Sequence, residues 1–458
     1  MMSKKSSFWA RTSFAFSLLK GGEPTLSHST KKSAPSSSIA NSDAKTLQRL
    51  NEALQHGLTA PFYQKRLPPK PLTSLSQWKS IPLLYKEDLV AQSPFGMLCQ
   101  PREELRQYHE SFGTTGMTVS TWLSEKDVQD NYEEVATCAV NFQPQDTVLV
   151  RFPYAISLIA HMVHRAAQSR GASVIPASSR STISPFPRII ELMRKLEVTV
   201  LAALPLQVLL LAETAKLLGL SPKQDFPHLR AILTGGEPLP PGKRKHLEEI
   251  WAVPIYEVYG MTEIGTAVTS CEQKQAHSLE DYFYFEVLDD NLQTDVESGQ
   301  IGNLVITSLT AKATPIIRYV TNDRVCRLPE PCTCGRGYPL QIRGRRQDLL
   351  WIEQKAIDVW DIDSYLTNLT EAYPSFWVAG LDEKGLRLII EQEGLKTVAT
   401  QKEVMSNSSA PAITIETVPV GTLYDRRQLL DTGKVGKPRY IYSRKEMAEQ
   451  AYLHSDKI

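Results

Sequence analysis

Between Asp146 and Gly260, short apolar runs alternate with stretches of helical spacing, and this alternation leaves few folds open to the chain. "DTVLVRFPY" reads as a strand, "ISLIAHMVHRAAQSRG" as a helix closed by Gly171, and "ASVIPAS" as a second strand. A helix over "FPRIIELMRKLE", a strand over "VTVLAAL", a helix running to Leu218 and a strand over "LRAILTGGEP" follow. Strands separated by helices of this kind pair in parallel and are covered on both faces, so each can be apolar throughout. Ligands of such sheets gather at the loops beyond the strand C-termini. "TGGEPLPP" and "EVYGMTEIG" both occupy that position.

The pattern changes at about Asp281. "DYFYFEVLDD", "GNLVITSL" and "PIIRYVTNDRV" alternate like antiparallel strands, a smaller layer added to the α/β body. Beyond "IRGRRQDLL", helix and strand signals mix again in "GLRLIIEQEG" and "AITIETVPVG". Three segments follow: a flexible, basic, Ser-rich tail over 1–42, a large domain over 43–344, and a small mobile α+β domain over 345–458. The tail has no acid before Glu23, so a transit or signal-like segment is the other reading of it.

A chain of 458 residues buries a sizeable core, and a net charge of +1 argues against nucleic acid as the main partner. No apolar run approaches the roughly 20 residues a membrane span requires. The best candidate, Val198–Ala215, is interrupted by Pro205. Six cysteines in so long a chain do not form a disulfide scaffold and fit a reducing, cytoplasmic setting. Four donors cluster in sequence: Cys271 and His277 in "SCEQKQAH", and Cys332 and Cys334 in "PCTCGRG". Three thiols and an imidazole make a tetrahedral zinc set, with Cys326 as a substitute ligand; reduced cysteines in a glycine turn are the alternative.

"HESFGTTGMTVSTW" combines glycines, hydroxyls and backbone amides in a form that suits an anion. It is not the common phosphate-loop fingerprint, because Met117 and not lysine follows Gly116. Taken in order, "SFGTTG", "TGGEP", "YEVYGMTE", "PIIRYVTND", "IRGRRQD" and "DTGKVGK" resemble the adenylate-forming superfamily, in its phenylacetate–CoA ligase-like branch. The resemblance runs from about residue 45 to the end. It implies attack of a carboxylate on the α-phosphate of ATP, giving an acyl- or aryl-adenylate and pyrophosphate. The acyl group then passes to a thiol, either CoA or the phosphopantetheine arm of a carrier protein.

By that resemblance Ser111, Gly113, Thr114, Thr115 and Gly116 grip the β- and γ-phosphates. Glu263 holds Mg²⁺, Thr262 meets the α-phosphate, and Tyr259 lies against adenine. Gly235, Gly236, Glu237 and Pro238 border the adenine slot, Asp323 accepts from the ribose hydroxyls, and Arg345 reaches ribose and phosphate from the hinge. Lys434 stabilises charge during adenylation, and His109 either approaches the substrate carboxylate or is a packed histidine. The branch implies a small, aromatic acid.

Phe112, Met117 and Gln347 depart from the family pattern, and Gln354 stands where a glycine lines the thiol channel. Adenylation is therefore better supported than transfer to free CoA. An amine or hydroxyl acceptor, or a nucleotide-binding relative without turnover, are the rival readings.

Overall fold

The computed structural model describes residues 37–111, 118–179, 181–352, 355–370, 372–383, 385–394, 400–404, 413–430 and 439–453. Helices α1 (Ser37–Gly57), α2 (Pro61–Gln64) and α3 (Lys86–Gln92) lead to a hairpin of β1 (Leu105–Glu110) and β2 (Ser120–Ser124). The Gly/Thr loop joins these two strands. Then α4 (Glu125–Ala136), β3 (Thr147–Val150), α5 (Leu158–Ser169), β4 (Ser173–Pro176), α6 (Phe186–Lys195) and β5 (Val200–Ala202) follow. Next come α7 (Pro205–Leu217), β6 (Ala231–Gly235), α8 (Pro241–Trp251), β7 (Ile255–Met261), β8 (Gly265–Ser270) and β9 (Ala276–Ser278).

These strands form one seven-stranded sheet in the order β4-β3-β5-β6-β7-β8-β9. The first five are parallel, as the alternation predicts. The sheet departs from a wholly parallel one at β8, which turns back antiparallel on β7 through the tight turn Thr262–Ile264. Gly265 makes that reversal possible at φ +82°, a backbone region that favours glycine. One face is covered by α4 and α5, whose Val135, Leu158 and Val163 pack on Val148 and Val150. The other is covered by α6, α7 and α8, with Ile189, Leu206, Leu210 and Trp251 against Leu149, Leu201 and Ile232. Proline in the first turn starts α6, α7 and α8, where its missing N–H costs no intrahelical bond.

The second layer comprises β10 (Phe283–Leu288), β11 (Ile301–Ser308), β12 (Tyr319–Arg327) and β13 (Leu340–Arg345), antiparallel throughout. Its apolar side shares a core with the N-terminal helices through Leu50, Leu54, Trp78, Leu304 and Ile306. Beyond Arg345 lie β14 (Leu350–Ile352), β15 (Lys355–Ile357), α9 (Val359–Leu369), β16 (Trp377–Leu381), β17 (Leu386–Gln392), β18 (Thr400–Val404), β19 (Ile413–Pro419), β20 (Ile441–Tyr442) and α10 (Arg444–Ala448). Five of these strands form a separate mixed sheet, β18-β19-β17-β16-β20, with its own core of Ile362, Leu366, Leu388 and Ile415. The chain therefore has the expected large domain and small α+β C-terminal domain. No described helix is long and apolar enough to cross a membrane.

Candidate active site

The C-terminal ends of β6 and β7 converge where the sequence places its motifs. Gly235 closes β6, and a Cβ there would come within 2.6 Å of the Val258 carbonyl of β7. Gly236 follows with φ +76°, and Glu237 turns back so that its Oε2 accepts from Leu206 N at 3.2 Å, tying the turn to the start of α7. Pro238 lies beside the position of Gly344, at the end of β13. The "TGGEP" turn is thus wedged between the two sheets.

Tyr259, Thr262 and Glu263 lie at the β7–β8 reversal. Tyr259 donates its hydroxyl to Asp323 Oδ2 at 2.7 Å, and Tyr319 donates to Glu263 Oε1 at 2.7 Å. The two pairs run side by side between β7 and β12. Asp323 is buried, its backbone N–H donates to Thr321 Oγ1, and Arg345 Nε stands 3.8 Å from Oδ1. Burial pushes the Asp323 carboxyl up to about 6, against the opposing pull of the Tyr259 hydroxyl and the Arg345 charge. Tyr259 and Tyr319 are both pushed above the usual phenol range, first by burial and then by the carboxylates they serve, so both remain protonated donors. Tyr319, Thr321 and Asp323 all come from β12, whose regular pairing with β11 is interrupted between Val320 and Arg324, where Asn322 takes φ +62°.

The entry into β12, just ahead of Tyr319, is fixed by a pair the sequence reading did not single out. Arg318 and Glu286 form a buried ion pair at 2.8 Å, each side chain 4% exposed. Arg318 also donates to the carbonyls of Lys79 and Ile81, and Trp78 Nε1 donates to Glu286 Oε2 at 3.0 Å. These bonds anchor the start of β12 to the N-terminal helices.

Ser111 forms the neck of the Gly/Thr loop. Its N–H donates to Val119 O and its Oγ accepts from Val119 N, both at 2.9 Å. Gly113, Thr114, Thr115 and Gly116, together with Phe112 and Met117, lie outside the described residues, as do Gln354 and Lys434. Gln347 sits in the single turn Arg346–Asp348 that follows β13. His109 is buried on β1, with Nδ1 3.2 Å from Ile156 O and Nε2 3.0 Å from Gln107 Oε1. Burial and the nearby His161 hold its pKa down to about 4, so the ring is neutral at pH 7 and its single N–H donates to one of these two oxygens.

A small cavity of about 30 Å³ adjoins Thr262 and Glu263 and is lined by Asp130, Asn131, Glu134 and Ser308. Its size admits a water or two, and its acceptors would hold them. Glu134 accepts from Thr266 N at 3.1 Å, and burial raises its carboxyl well above the usual range.

The four predicted zinc donors meet. Their ligand atoms all lie within 4.8 Å of one another. Cys271 and Cys332 sulfurs are 3.8 Å apart, and Cys334 Sγ is 3.3 Å from His277 Nε2. A tetrahedron with Zn–S bonds of about 2.3 Å has edges of about 3.8 Å, so the spacing suits one zinc ion. Arg336 N donates to Cys334 Sγ at 3.4 Å, and Gly335 and Gly337 at φ +83° and +85° shape the knuckle. Cys326 is not a member of this group.

With this geometry in hand, the relatives are informative. Residues 111–310 match the family described as AMP-binding enzyme. The phenylacetate-coenzyme A ligase of Pseudomonas putida is 30% identical over 322 residues, spanning 67% of this chain and 71% of that protein. The chain belongs to this family. The Thermus thermophilus phenylacetate-coenzyme A ligase is 29% identical over 370 residues, covering 77% of this chain and 81% of the relative. Among solved structures, 2-hydroxyisobutyryl-CoA ligase in its postadenylation state superposes with a TM-score of 0.75 at 22% identity, covering 91% of this chain and 93% of that one. In its thioesterification state the same ligase gives 0.63 at 21% identity, with 93% and 97% covered. The family accounts for the order of motifs along the chain.

Proposed function

We propose that this chain is an AMP-forming acid–thiol ligase that activates a small, phenylacetate-like carboxylic acid with ATP and transfers the acyl group to CoA. The Tyr259–Asp323–Arg345 arrangement beside Glu263, beyond the strand ends, carries the reading. Asp323 Oδ2 is committed to Tyr259, and Oδ1 is the oxygen open to the ribose hydroxyls. Tyr259 lies against adenine, and Gly235, Gly236, Glu237 and Pro238 shape the slot around the base. Arg345 meets the ribose and phosphate side.

In the first half-reaction a carboxylate oxygen attacks the α-phosphorus, the bond to the bridging oxygen of the β-phosphate breaks, and pyrophosphate leaves. Mg²⁺ would neutralise phosphate charge from Glu263, whose Oε1 is steadied by Tyr319. Ser111 and the loop it closes hold the β- and γ-phosphates, with Thr262 at the α-phosphate and Lys434 opposing the developing charge. In the second half-reaction the CoA sulfur attacks the acyl carbon, its proton passes to solvent, and AMP departs. The relatives and neighbours support CoA over a carrier protein. The boundary at residue 345 falls on the last residue of β13, and the C-terminal domain turns about Arg345–Gln347. The Cys271/His277/Cys332/Cys334 knuckle would bind one structural zinc that ties the edge of the large sheet to the β12–β13 connection.

The test is acid-dependent exchange of labelled pyrophosphate into ATP across aryl and aliphatic acids, with Glu263→Gln as control. Exchange with an aryl acid that the substitution abolishes supports the reading. ATP binding without exchange for any acid would sink it in favour of a nucleotide-binding relative without turnover.

A further inference from the structure

The "AIDVWDIDSY" stretch plays no part in the chemistry above, yet it places three carboxylates in the first two turns of α9. Asp358 caps the helix, accepting from Trp360 N and Asp361 N at 2.8 and 3.1 Å. Three residues apart, Asp358 and Asp361 share a helix face, whereas Asp363 lies on the opposite side. The first face meets β13. Arg343 donates to both Asp358 oxygens at 2.6 and 2.9 Å and to Asp361 at 3.0 Å, and Trp360 Nε1 donates to Ile342 O at 2.8 Å.

Asp363 reaches across to the large domain. Its Oδ2 accepts from Gly242 N at 2.8 Å and its Oδ1 from Lys243 N at 3.0 Å, the first two N–H groups of α8. Such groups have no partner within their own helix, and Pro241 before them has no N–H at all. Tyr373 adds a third bond to Oδ1 at 2.8 Å. The cap belongs to a wider contact, in which Arg426 pairs with Glu213 of α7 at 3.1 Å and His246 of α8 meets Ser375 Oγ at 2.9 Å. Arg343 lies next to the pivot, so its pairs can survive a rotation about Arg345–Gln347; the Asp363 cap, farther out, cannot.

We propose that Asp363 is a positioning residue whose cap on α8 holds the C-terminal domain in the arrangement that serves adenylation, and that releasing the cap admits the arrangement for thioester formation. The assignment to half-reactions rests on the proposed function. It is supported by the better superposition on the postadenylation than on the thioesterification state, 0.75 against 0.63.

Two substitutions break the clasp from opposite sides. Asp363→Ala removes the cap. Gly242→Ala acts from the large domain, where the new Cβ would fall on Thr367 Oγ1 and within 2.7 Å of the Tyr373 ring and 2.8 Å of Asp363 Oδ1. Within α8 itself alanine is the better helix former, so the large domain keeps its fold. In the full-length chain, hydrogen exchange at the Gly242 and Lys243 amides of Asp363→Ala should accelerate roughly tenfold, the scale of a lost cap. In both variants pyrophosphate exchange should fall by roughly that factor, while transfer from a preformed acyl-adenylate to CoA stays within about threefold. Asp363→Asn, which keeps one acceptor, should be intermediate. Equal loss of both half-reactions, exchange accelerated throughout the chain, or no change at the two amides would overturn the proposal. If the wild type forms no adenylate with any acid, the proposed function fails while the amide exchange still decides whether the clasp exists.

Discussion

The buried carboxylate of Asp323 makes a prediction that can be followed through to a number. With its pKa raised to about 6 by burial, the group is almost wholly ionised at about pH 7.5 and roughly nine-tenths protonated at about pH 5. Only the ionised form offers two acceptor oxygens, and Tyr259 occupies one of them. Nucleotide binding that uses Oδ1 should therefore weaken about tenfold across this interval, equivalent to about 1.4 kcal/mol. Asp323→Asn removes the titration and one charge-assisted bond, costing about 1.5–3 kcal/mol of ATP affinity at neutral pH, or roughly 10- to 150-fold. The assay is the dissociation constant for ATP as a function of pH in both proteins. Protonation of the nucleotide itself is common to the two curves, so their ratio isolates Asp323. That ratio should shrink about tenfold toward acid pH. A constant ratio, or Asp323→Asn within about threefold of wild type at neutral pH, would refute the placement of ribose at Oδ1.

The buried Arg318–Glu286 pair ties the start of β12 to the N-terminal helices. Arg318→Met should cost about 3–5 kcal/mol in denaturant unfolding because Glu286 is left buried and uncompensated, and Arg318→Met/Glu286→Leu should recover much of it. Equal loss in the single and double variants would show that the backbone bonds of Arg318, and not its charge, matter. Cys334→Ser should lose zinc from about one equivalent per chain to a small fraction and lower the melting temperature, read by elemental analysis and thermal unfolding. Full-length protein that retains no zinc when prepared without chelator would contradict the knuckle.

How much of this was legible in the sequence follows from the range of each interaction. The strands from Val148 to Val258 announce themselves because parallel pairing buries both faces, leaving short apolar runs between helices. The prolines opening α6, α7 and α8 are equally local signals. The β1–β2 hairpin is hidden in the sequence because a long Gly/Thr stretch separates two short strands, and the five residues of β2 pair with His109 and its neighbours. The reversal at β8 depends on the single positive-φ Gly265. Asp323 and Glu263 stand in recognisable motifs, but the tyrosine that supports Glu263 comes from 56 positions away, and nothing local to either residue marks the pairing. Arg318 and Glu286 are 32 residues apart, and Asp363 reaches a helix 121 residues earlier. Neither pairing has a local pattern that would reveal it. The Cys271/His277/Cys332/Cys334 cluster was readable because each half carries its own turn, with a glycine knuckle around Cys332 and Cys334.

The most direct measurement follows the adenosine of ATP through one turnover by mass spectrometry, first with a phenylacetate-like acid alone and then after addition of CoA. The account predicts acyl-adenylate and pyrophosphate in equal amounts before CoA, and acyl-CoA and AMP in equal amounts after it. Release of ADP and phosphate, or an acyl-adenylate that CoA leaves untouched, would contradict it.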